Sequence, residues 1–304
     1  MKRHRVLKDL LDIFLLFFFT VAIVQLLLSL KTVRRNPVLS FEGGIPFQQV
    51  ESIAKKNTLS QKNKRTGHHM RQYTWTDSTN SQRITRLKLD KSAVKNEIKK
   101  FGMVRGMKST LFMQKRGFKI IGRSNRLVRG RIKENITTIV DYRQIFDRNR
   151  RYFPELTSQL IDSFSGGRYN PLYDFLKFVQ YIPYRRPPVR YAGRFIGKFF
   201  VPLVCLYEQY GDCDSKSLLL AEFLSAYPAS KEQIGMLLIH GQGLAHAVLA
   251  IKRKPLVGMS SIFVNGSGYY ILLEATYHHF APGFVPYRVA RAIKAGYIRY
   301  VPLN

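Results

Sequence analysis

The spacing of apolar and polar positions along this chain predicts which element each stretch forms. Residues 10–30 are almost wholly apolar, and their number matches the roughly 20 residues that a helix needs to cross a bilayer. Residues 83–89 alternate polar and apolar, which is the pattern of a half-buried strand. Residues 118–121 and 136–140 are further short strand candidates, and residues 92–101 suit a short amphipathic helix. The first half therefore predicts one membrane-spanning segment followed by short strands.

The second half predicts helices followed by strands. Asn170 and Pro171 predict a helix start, because Asn caps helices well and Pro suits the first helical position. Another helix is predicted to begin near Cys213, and it is apolar nearly all round, so we expect it to be central. Strands are predicted at 235–239, 245–251 and 268–273. We expect an α+β fold, with the central helix that carries Cys213 packed on an antiparallel sheet.

Changes in composition divide the chain into four predicted regions. Residues 1–35 form an N-terminal cytoplasmic stub and transmembrane anchor, and residues 36–70 a basic tether. Residues 71–160 form a small basic β-rich region, in which we expect Trp75 to be a packing residue. Residues 161–304 form the last region, which holds the candidate chemistry.

The apolar segment at 10–30 predicts a single-pass membrane protein. It is longer than the core of a typical signal peptide, and no clear small-x-small cleavage site follows it. We therefore expect an uncleaved signal anchor in the inner (cell) membrane, with the rest of the chain extracytoplasmic (periplasmic). A cleaved signal peptide is the alternative, because both kinds of segment begin with basic residues and an apolar run.

The chain is strongly basic, with 50 Lys and Arg, 19 Asp and Glu, and a net charge of +31. Residues 51–150 contribute about +19 of that charge, with 26 basic and 7 acidic residues. Such a surface predicts binding to an anionic membrane or to an anionic envelope polymer. The alternative interpretation is a basic surface that is solvated and binds no partner. Nucleic acid is not an expected partner, because the chain has no recognisable reading motif and is predicted to lie outside the cytoplasm.

The two cysteines, Cys205 and Cys213, are too few for a disulfide framework, although they could pair with each other. Cys213 lies where a turn passes into a helix, and the positive end of a helix dipole lowers the pKa of a thiol. A thiolate is a nucleophile. Asp212 and Asp214 are candidate helix caps, but carboxylates beside a thiol raise its pKa.

A cysteine nucleophile needs a base, and the base needs a third group that orients it. His246 and Glu274 lie in two apolar strand patterns after Cys213, so neighbouring antiparallel strands could bring them together. A lone His or Cys in an apolar stretch is usually a core residue, but an unpaired buried carboxylate is costly. The order Cys213, His246, Glu274 therefore predicts a catalytic triad.

Other polar groups are candidates for binding the transition state or a metal. The backbone N–H of Cys213 is one natural oxyanion donor, and Gln209 or Tyr207 is a candidate for the second. We expect neither metal nor cofactor, because no nucleotide-binding glycine pattern is present and the possible ligands lack known metal-site spacing. Those possible ligands are Cys205, Cys213, His240, His246, His278 and His279.

Four short pieces carry a resemblance: Phe-Val-Gln-Tyr-Ile-Pro-Tyr at 178–184, Gly-Asp-Cys-Asp-Ser-Lys-Ser at 211–217, His-Ala-Val at 246–248 and Glu-Ala-Thr at 274–276. From about residue 172 to 286 the chain resembles the transglutaminase-like superfamily of papain-fold cysteine enzymes, most of all a prokaryotic membrane-anchored branch. The resemblance implies Cys213 as nucleophile, His246 as base and Glu274 as orienting acid. Many members carry Asp where this chain has Glu274, and an aromatic residue where it has Ala247.

The resemblance also implies an activity. It predicts action on amide bonds of peptide or protein substrates through a thioester, ending in hydrolysis or in acyl transfer to an amine, without a cofactor. The alternative is a catalytically inactive envelope scaffold or binding module that uses its basic surface.

Overall fold

The computed structural model describes residues 67–104, 109–128, 131–164, 170–241 and 243–304. The predicted anchor at 10–30 and nearly all of the predicted tether lie outside the described residues. Within the described ranges, no helix combines the length and apolar character needed to cross a membrane.

The first half of the described chain consists of two hairpins and short helices. The elements are β1 (His68–Thr76), β2 (Gln82–Asp90), α1 (Lys91–Lys100), α2 (Thr110–Lys115), β3 (Phe118–Val128), β4 (Arg131–Val140), α3 (Tyr142–Asn149), a 3-10 turn (Arg150–Tyr152) and α4 (Phe153–Ile161). β1 pairs antiparallel with β2, and β3 with β4. The predicted strands at 83–89, 118–121 and 136–140 are therefore confirmed.

The second half forms helices and one larger sheet. Its elements are α5 (Pro171–Tyr181), β5 (Arg190–Tyr191), β6 (Arg194–Phe195), α6 (Pro202–Glu208), α7 (Cys213–Ala226), β7 (Ile234–Gly241), β8 (Leu244–Lys252), β9 (Ser261–Val264), β10 (Gly268–Leu273), α8 (Tyr287–Lys294) and β11 (Ile298–Pro302). The larger sheet has the order β11-β7-β8-β10-β9, and each neighbouring pair is antiparallel. The α+β class with antiparallel sheets is therefore confirmed.

Local signals explain where the helices start. The Asn170 side chain accepts a hydrogen bond from the Tyr173 N–H, and Pro171 occupies the first turn of α5, as predicted. The helices α3 and α4 are separated by the 3-10 turn at Arg150–Tyr152. Pro154 does not break the helix, because it lies in the first turn of α4, where its missing N–H costs nothing.

One hydrophobic core joins the first hairpin to the helices of the second half. Trp75 on β1 is 1% exposed, and its indole N–H donates to Thr85 Oγ1 at 2.8 Å. The Trp75 ring meets Phe178 of α5 edge to face at 5.8 Å between centroids. Phe178 in turn packs against Phe223 of α7. The contact between Trp75 and Phe178 therefore joins the two regions that the sequence predicted to meet at residue 160.

Candidate active site

Cys213 is the first residue of α7, the helix at the centre of the fold. Asp212 is its N-cap, and Asp212 Oδ1 accepts from the Ser215 N–H at 3.4 Å and the Ser215 hydroxyl at 2.5 Å. From Ser215 to Leu224 the helix is buried, whereas Cys213 itself is half-buried. The buried helix therefore holds the Cys213 thiol in place, and its half-buried end leaves the thiol partly accessible to a substrate.

His246 and Glu274 meet between two neighbouring strands of the larger sheet. Leu249 of β8 pairs with Leu273 of β10, and Glu274 follows directly after β10. The His246 Nε2 and Glu274 Oε2 atoms are 2.7 Å apart, and Glu274 Oε1 accepts from the Thr276 N–H at 2.8 Å. The His246 and Glu274 side chains are 7% and 0% exposed. When the Nε2–H group donates a hydrogen bond to this carboxylate, Nδ1 is the ring nitrogen that can accept a proton.

The main chain of Ala247 contacts the helix that begins at Cys213. Its carbonyl accepts from the Ser217 hydroxyl of α7 at 3.2 Å. Its N–H lies close enough to the Cys213 thiol to lower the pKa of that thiol. Because Ala247 directly follows His246 on β8, these contacts place the start of α7 against the strand that carries the predicted base. The structure therefore joins His246 to Glu274 directly and places Cys213 beside the residue after His246, but no hydrogen bond between the Cys213 thiol and the His246 ring is present among the described residues.

The Cys213 thiol is not pre-ionised in this environment. Burial raises the pKa of the thiol, Asp214 and Asp212 raise it further, and the Ala247 N–H lowers it. The pKa of the thiol is therefore raised, and not lowered as expected from the helix N-terminus, because burial and the two neighbouring carboxylates disfavour the thiolate. Burial and Asp214 also raise the pKa of Asp212, which favours its neutral form.

A buried lysine links the helix of Cys213 to the loop of Glu274. Lys216 is 0% exposed, and its Nζ donates to the carbonyls of Ile182 at 2.7 Å and Gln180 at 3.2 Å. The Gln180 side-chain amide donates to the Glu274 carbonyl at 2.9 Å. Gln180 lies in the piece at 178–184 that carries the resemblance, but nothing in the sequence alone indicates that it contacts Glu274.

Burial affects the charge of that lysine strongly. It lowers the pKa of Lys216 to about 8, although the nearby acidic groups of Cys205, Glu274 and Cys213 favour the charged form. Lys216 therefore remains mostly protonated at pH 7, and its charge is held by main-chain carbonyls rather than by a salt bridge.

The two predicted oxyanion donors make their contacts with β1. The Gln209 amide donates to the Gln72 carbonyl at 2.8 Å. The Arg71 guanidinium lies 4.4 Å from the centre of the Tyr207 ring and donates to the Tyr207 carbonyl. None of these contacts involves Cys213, so the oxyanion role of Gln209 and Tyr207 stays a prediction.

The second cysteine has a structural environment. Cys205 and Cys213 are both free thiols, so the disulfide alternative is wrong for this structure. Cys205 is 0% exposed, its thiol donates to the Tyr210 carbonyl at 3.4 Å, and burial raises its pKa. Across the described part of the chain, no group of three or more His, Cys, Asp or Glu side chains is arranged to hold a metal ion.

Comparison with known proteins adds no relative to this picture. No protein-family model, no curated protein and no solved structure matches the chain. A function for the chain is therefore inferred from the residues and from the geometry of this site.

Proposed function

We propose that this chain is a cysteine enzyme with a transglutaminase-like, papain-type core that acts on amide bonds of peptide or protein substrates. The observation that carries the proposal is the 2.7 Å contact between His246 Nε2 and Glu274 Oε2, beside a half-buried Cys213 at the start of a helix. Burying a carboxylate costs free energy unless the carboxylate is paired, and Glu274 is paired with the His246 imidazole. In a cysteine enzyme, such a carboxylate orients the imidazole that acts as base on the thiol.

In the first step His246 acts as general base on a neutral thiol. As Cys213 Sγ attacks the amide carbonyl carbon, its proton passes to His246 Nδ1, and the positive imidazole is stabilised by Glu274. The oxygen of the tetrahedral intermediate carries the negative charge, and the Cys213 N–H at the helix start is available to bind it. The raised pKa of the thiol makes this concerted transfer necessary, because little thiolate is present beforehand.

In the second step the C–N bond breaks and the imidazolium returns its proton to the leaving amine. The acyl group remains on Cys213 as a thioester. A water molecule or a second amine then attacks the thioester carbonyl and gives a proton to His246, and that proton returns to the departing sulfur. Water yields hydrolysis, and an amine yields acyl transfer. Cys213, His246 and Glu274 carry every proton transfer in this scheme.

The proposal includes a location. The apolar segment at 10–30 would anchor the enzyme in the inner membrane with its catalytic part outside the cytoplasm. The basic charge that is concentrated between residues 51 and 150 would hold it near anionic lipid or an anionic envelope polymer.

The test is the iodoacetamide alkylation rate of Cys213 against pH in the full chain, read by mass spectrometry of the Cys213 and Cys205 peptides. We expect Cys213 to react at pH 7 and the His246→Ala variant to lose about 10²-fold of that rate, because the base is gone. His240→Ala, an exposed histidine on the neighbouring β7, is the matched control and should change nothing.

Two outcomes would overturn the proposal. In the first, Cys213 reacts no faster than the fully buried Cys205. In the second, His246→Ala and His240→Ala have the same rate as the wild type. Either result would favour the non-catalytic scaffold or binding module, and charge reversal in the basic region would then be the informative change.

A further inference from the structure

Tyr184 stands at the approach to the thiol from the side of the Gly-Asp-Cys turn. It follows α5 and forms a β-bridge with Gly211, two residues before Cys213. The Arg185 N–H donates to the Gly211 carbonyl at 3.0 Å, which fixes this loop against the start of α7. Tyr184 is 42% exposed, and its hydroxyl lies within electrostatic range of the Cys213 thiol.

Tyr277 stands at the approach from the side of the histidine. It lies in the loop after β10, three residues beyond Glu274, and its ring centre is 6.1 Å from that of His246. Tyr277 is 51% exposed, and Cys213 and Glu274 both lie within electrostatic range of its hydroxyl. Two half-exposed aromatic rings from different loops therefore lie beside the Gly-Asp-Cys turn and the His246 ring.

Each of these tyrosines is accompanied by an exposed arginine. Arg186 is exposed and follows Tyr184 by two residues in the same loop, and it favours the ionised form of the Tyr184 hydroxyl. Arg288, in the first turn of α8, lies within electrostatic range of the Tyr277 hydroxyl. Arg185 stacks on the Tyr210 ring at 3.5 Å. The loop that carries Tyr184 is also basic: residues 183–198 hold five Lys or Arg and no Asp or Glu.

The acidic groups near the thiol are already engaged. Glu274 is fully buried and bonded to His246 and the Thr276 N–H. Asp212 caps α7. Asp214 accepts from the Tyr142 hydroxyl at 2.8 Å. These bonds occupy the carboxylates within the protein, whereas Arg186 and Arg288 are exposed to solvent.

We propose that the two Tyr–Arg pairs, Tyr184–Arg186 and Tyr277–Arg288, form a substrate entrance that selects peptides with carboxylate groups close to the amide that Cys213 attacks. The inference rests on the proposed function and names its substrate class. Guanidinium groups bind carboxylates with two hydrogen bonds, and the exposed tyrosine faces give a peptide backbone and its side chains a surface to pack on. Positive charge on a surface also raises the encounter rate of an anionic ligand.

The first experiment measures the charge preference of Cys213 without needing a substrate. Iodoacetate and iodoacetamide both alkylate the sulfur with loss of iodide, but only iodoacetate carries a carboxylate. We expect the rate ratio of iodoacetate to iodoacetamide at Cys213 of the full chain to exceed the same ratio for N-acetylcysteine amide. The double variant Arg186→Gln/Arg288→Gln should lower the ratio about fivefold, and so should 0.5 M NaCl, because exposed charges are screened by salt.

The control is Arg299→Gln, which removes an exposed arginine from β11. It should leave the ratio unchanged. A ratio equal to that of N-acetylcysteine amide, or an equal loss in Arg299→Gln, overturns the entrance. These outcomes are distinct from failure of the enzyme proposal, which would appear as a slow, His246-independent reaction with the neutral reagent iodoacetamide.

The second experiment separates an acidic peptide from a small anion. Chloroacetyl peptides of one length, with Asp, Asn or Lys in the two positions next to the reactive group, would be compared as alkylating probes. The proposal expects labelling to fall in the order Asp, Asn, Lys, and expects the order to disappear in Arg186→Gln/Arg288→Gln. A preference for iodoacetate without a preference among the peptides would overturn the peptide class.

Discussion

The Lys216 ammonium donates to the main-chain oxygen of Ile182 at 2.7 Å, although the two residues lie 34 positions apart. Lys216 is on the helix that begins at Cys213, and Ile182 closes the helix that carries Gln180. Gln180 in turn holds the carbonyl of Glu274. This run of hydrogen bonds ties the helix of the proposed nucleophile to Glu274, the proposed orienting acid, so the spacing of the proposed triad does not depend on the loops alone.

Removing the charge of Lys216 is expected to change how stability depends on pH. The pKa is about 8 in the folded protein and 10.5 in the unfolded chain, so the unfolded chain binds more protons between these values. The free energy of unfolding should therefore rise with pH in the wild type, by about 2 kcal/mol between pH 7.5 and 9.5 from this group. Lys216→Met should lack that rise.

Urea unfolding followed by Trp75 fluorescence measures this, because Trp75 is the only tryptophan and is 1% exposed. Lys95→Met, which changes an exposed lysine of α1, should keep the wild-type pH dependence. Parallel pH profiles for wild type and Lys216→Met would show that Lys216 is not desolvated.

Glu274→Gln is expected to impair Cys213 while leaving the fold intact. The Gln amide can replace the carboxylate in shape, but when it donates to His246 Nε2 it forces the ring proton onto Nδ1. His246 can then no longer accept the proton of the thiol. We expect about a 10²-fold loss in the alkylation rate at pH 7. Glu155→Gln, an exposed glutamate on α4, is the control. An unchanged rate would mean that Glu274 is only a packing residue.

Gly211→Ala is expected to displace the turn before Cys213. A Cβ at this position would lie 2.7 Å from Cys205 Sγ and 3.1 Å from Ser215 Cβ, so the buried turn must shift, at a cost of about 1–3 kcal/mol. Because Cys205 makes the closer contact, Cys205→Ala should recover part of that loss. Chemical denaturation of both single variants and of the double variant gives the coupling.

Gly122→Ala is the control for that cycle, because the new Cβ would meet only ordinary contacts at 3.8 Å. Full additivity of Gly211→Ala and Cys205→Ala would show that the sulfur is not what excludes a side chain at position 211.

Glu222→Gln is expected to stabilise the protein at alkaline pH. Glu222 is 0% exposed, and neither carboxyl oxygen has a hydrogen-bond partner among the residues that the structure describes. Burial raises its pKa well above 4.5, so the folded protein binds more protons than the unfolded chain above that pH, and stability falls as pH rises. The variant should equal the wild type near pH 4 and exceed it at pH 8 by at least about 1 kcal/mol.

The urea midpoints of wild type and Glu222→Gln at pH 4 and pH 8 test this prediction. Equal midpoints at pH 8 would mean that Glu222 is paired or solvated in the folded protein.

Several elements were predictable because their signals are local. The alternation across β2, the Asn170–Pro171 start of α5 and the turn before Cys213 each depend on neighbouring residues only. No element was predicted for Pro202–Glu208, because its residues from Pro202 to Leu206 are all buried and no helical period separates an exposed face. β11 was also missed, because its burial pattern does not alternate cleanly.

By itself, the sequence determined which residue types were available for the chemistry, and their order along the chain. The tertiary structure decided their relations. The His246–Glu274 bond joins residues 28 positions apart, and the Gln180–Glu274 bond joins residues 94 positions apart. The direction of the Cys213 pKa also depends on burial, a property of the packed core that no local pattern contains. Contacts between distant residues and exclusion of water arise only when the chain has folded, which is why the reactive state of the thiol could not be predicted from its place at a helix start.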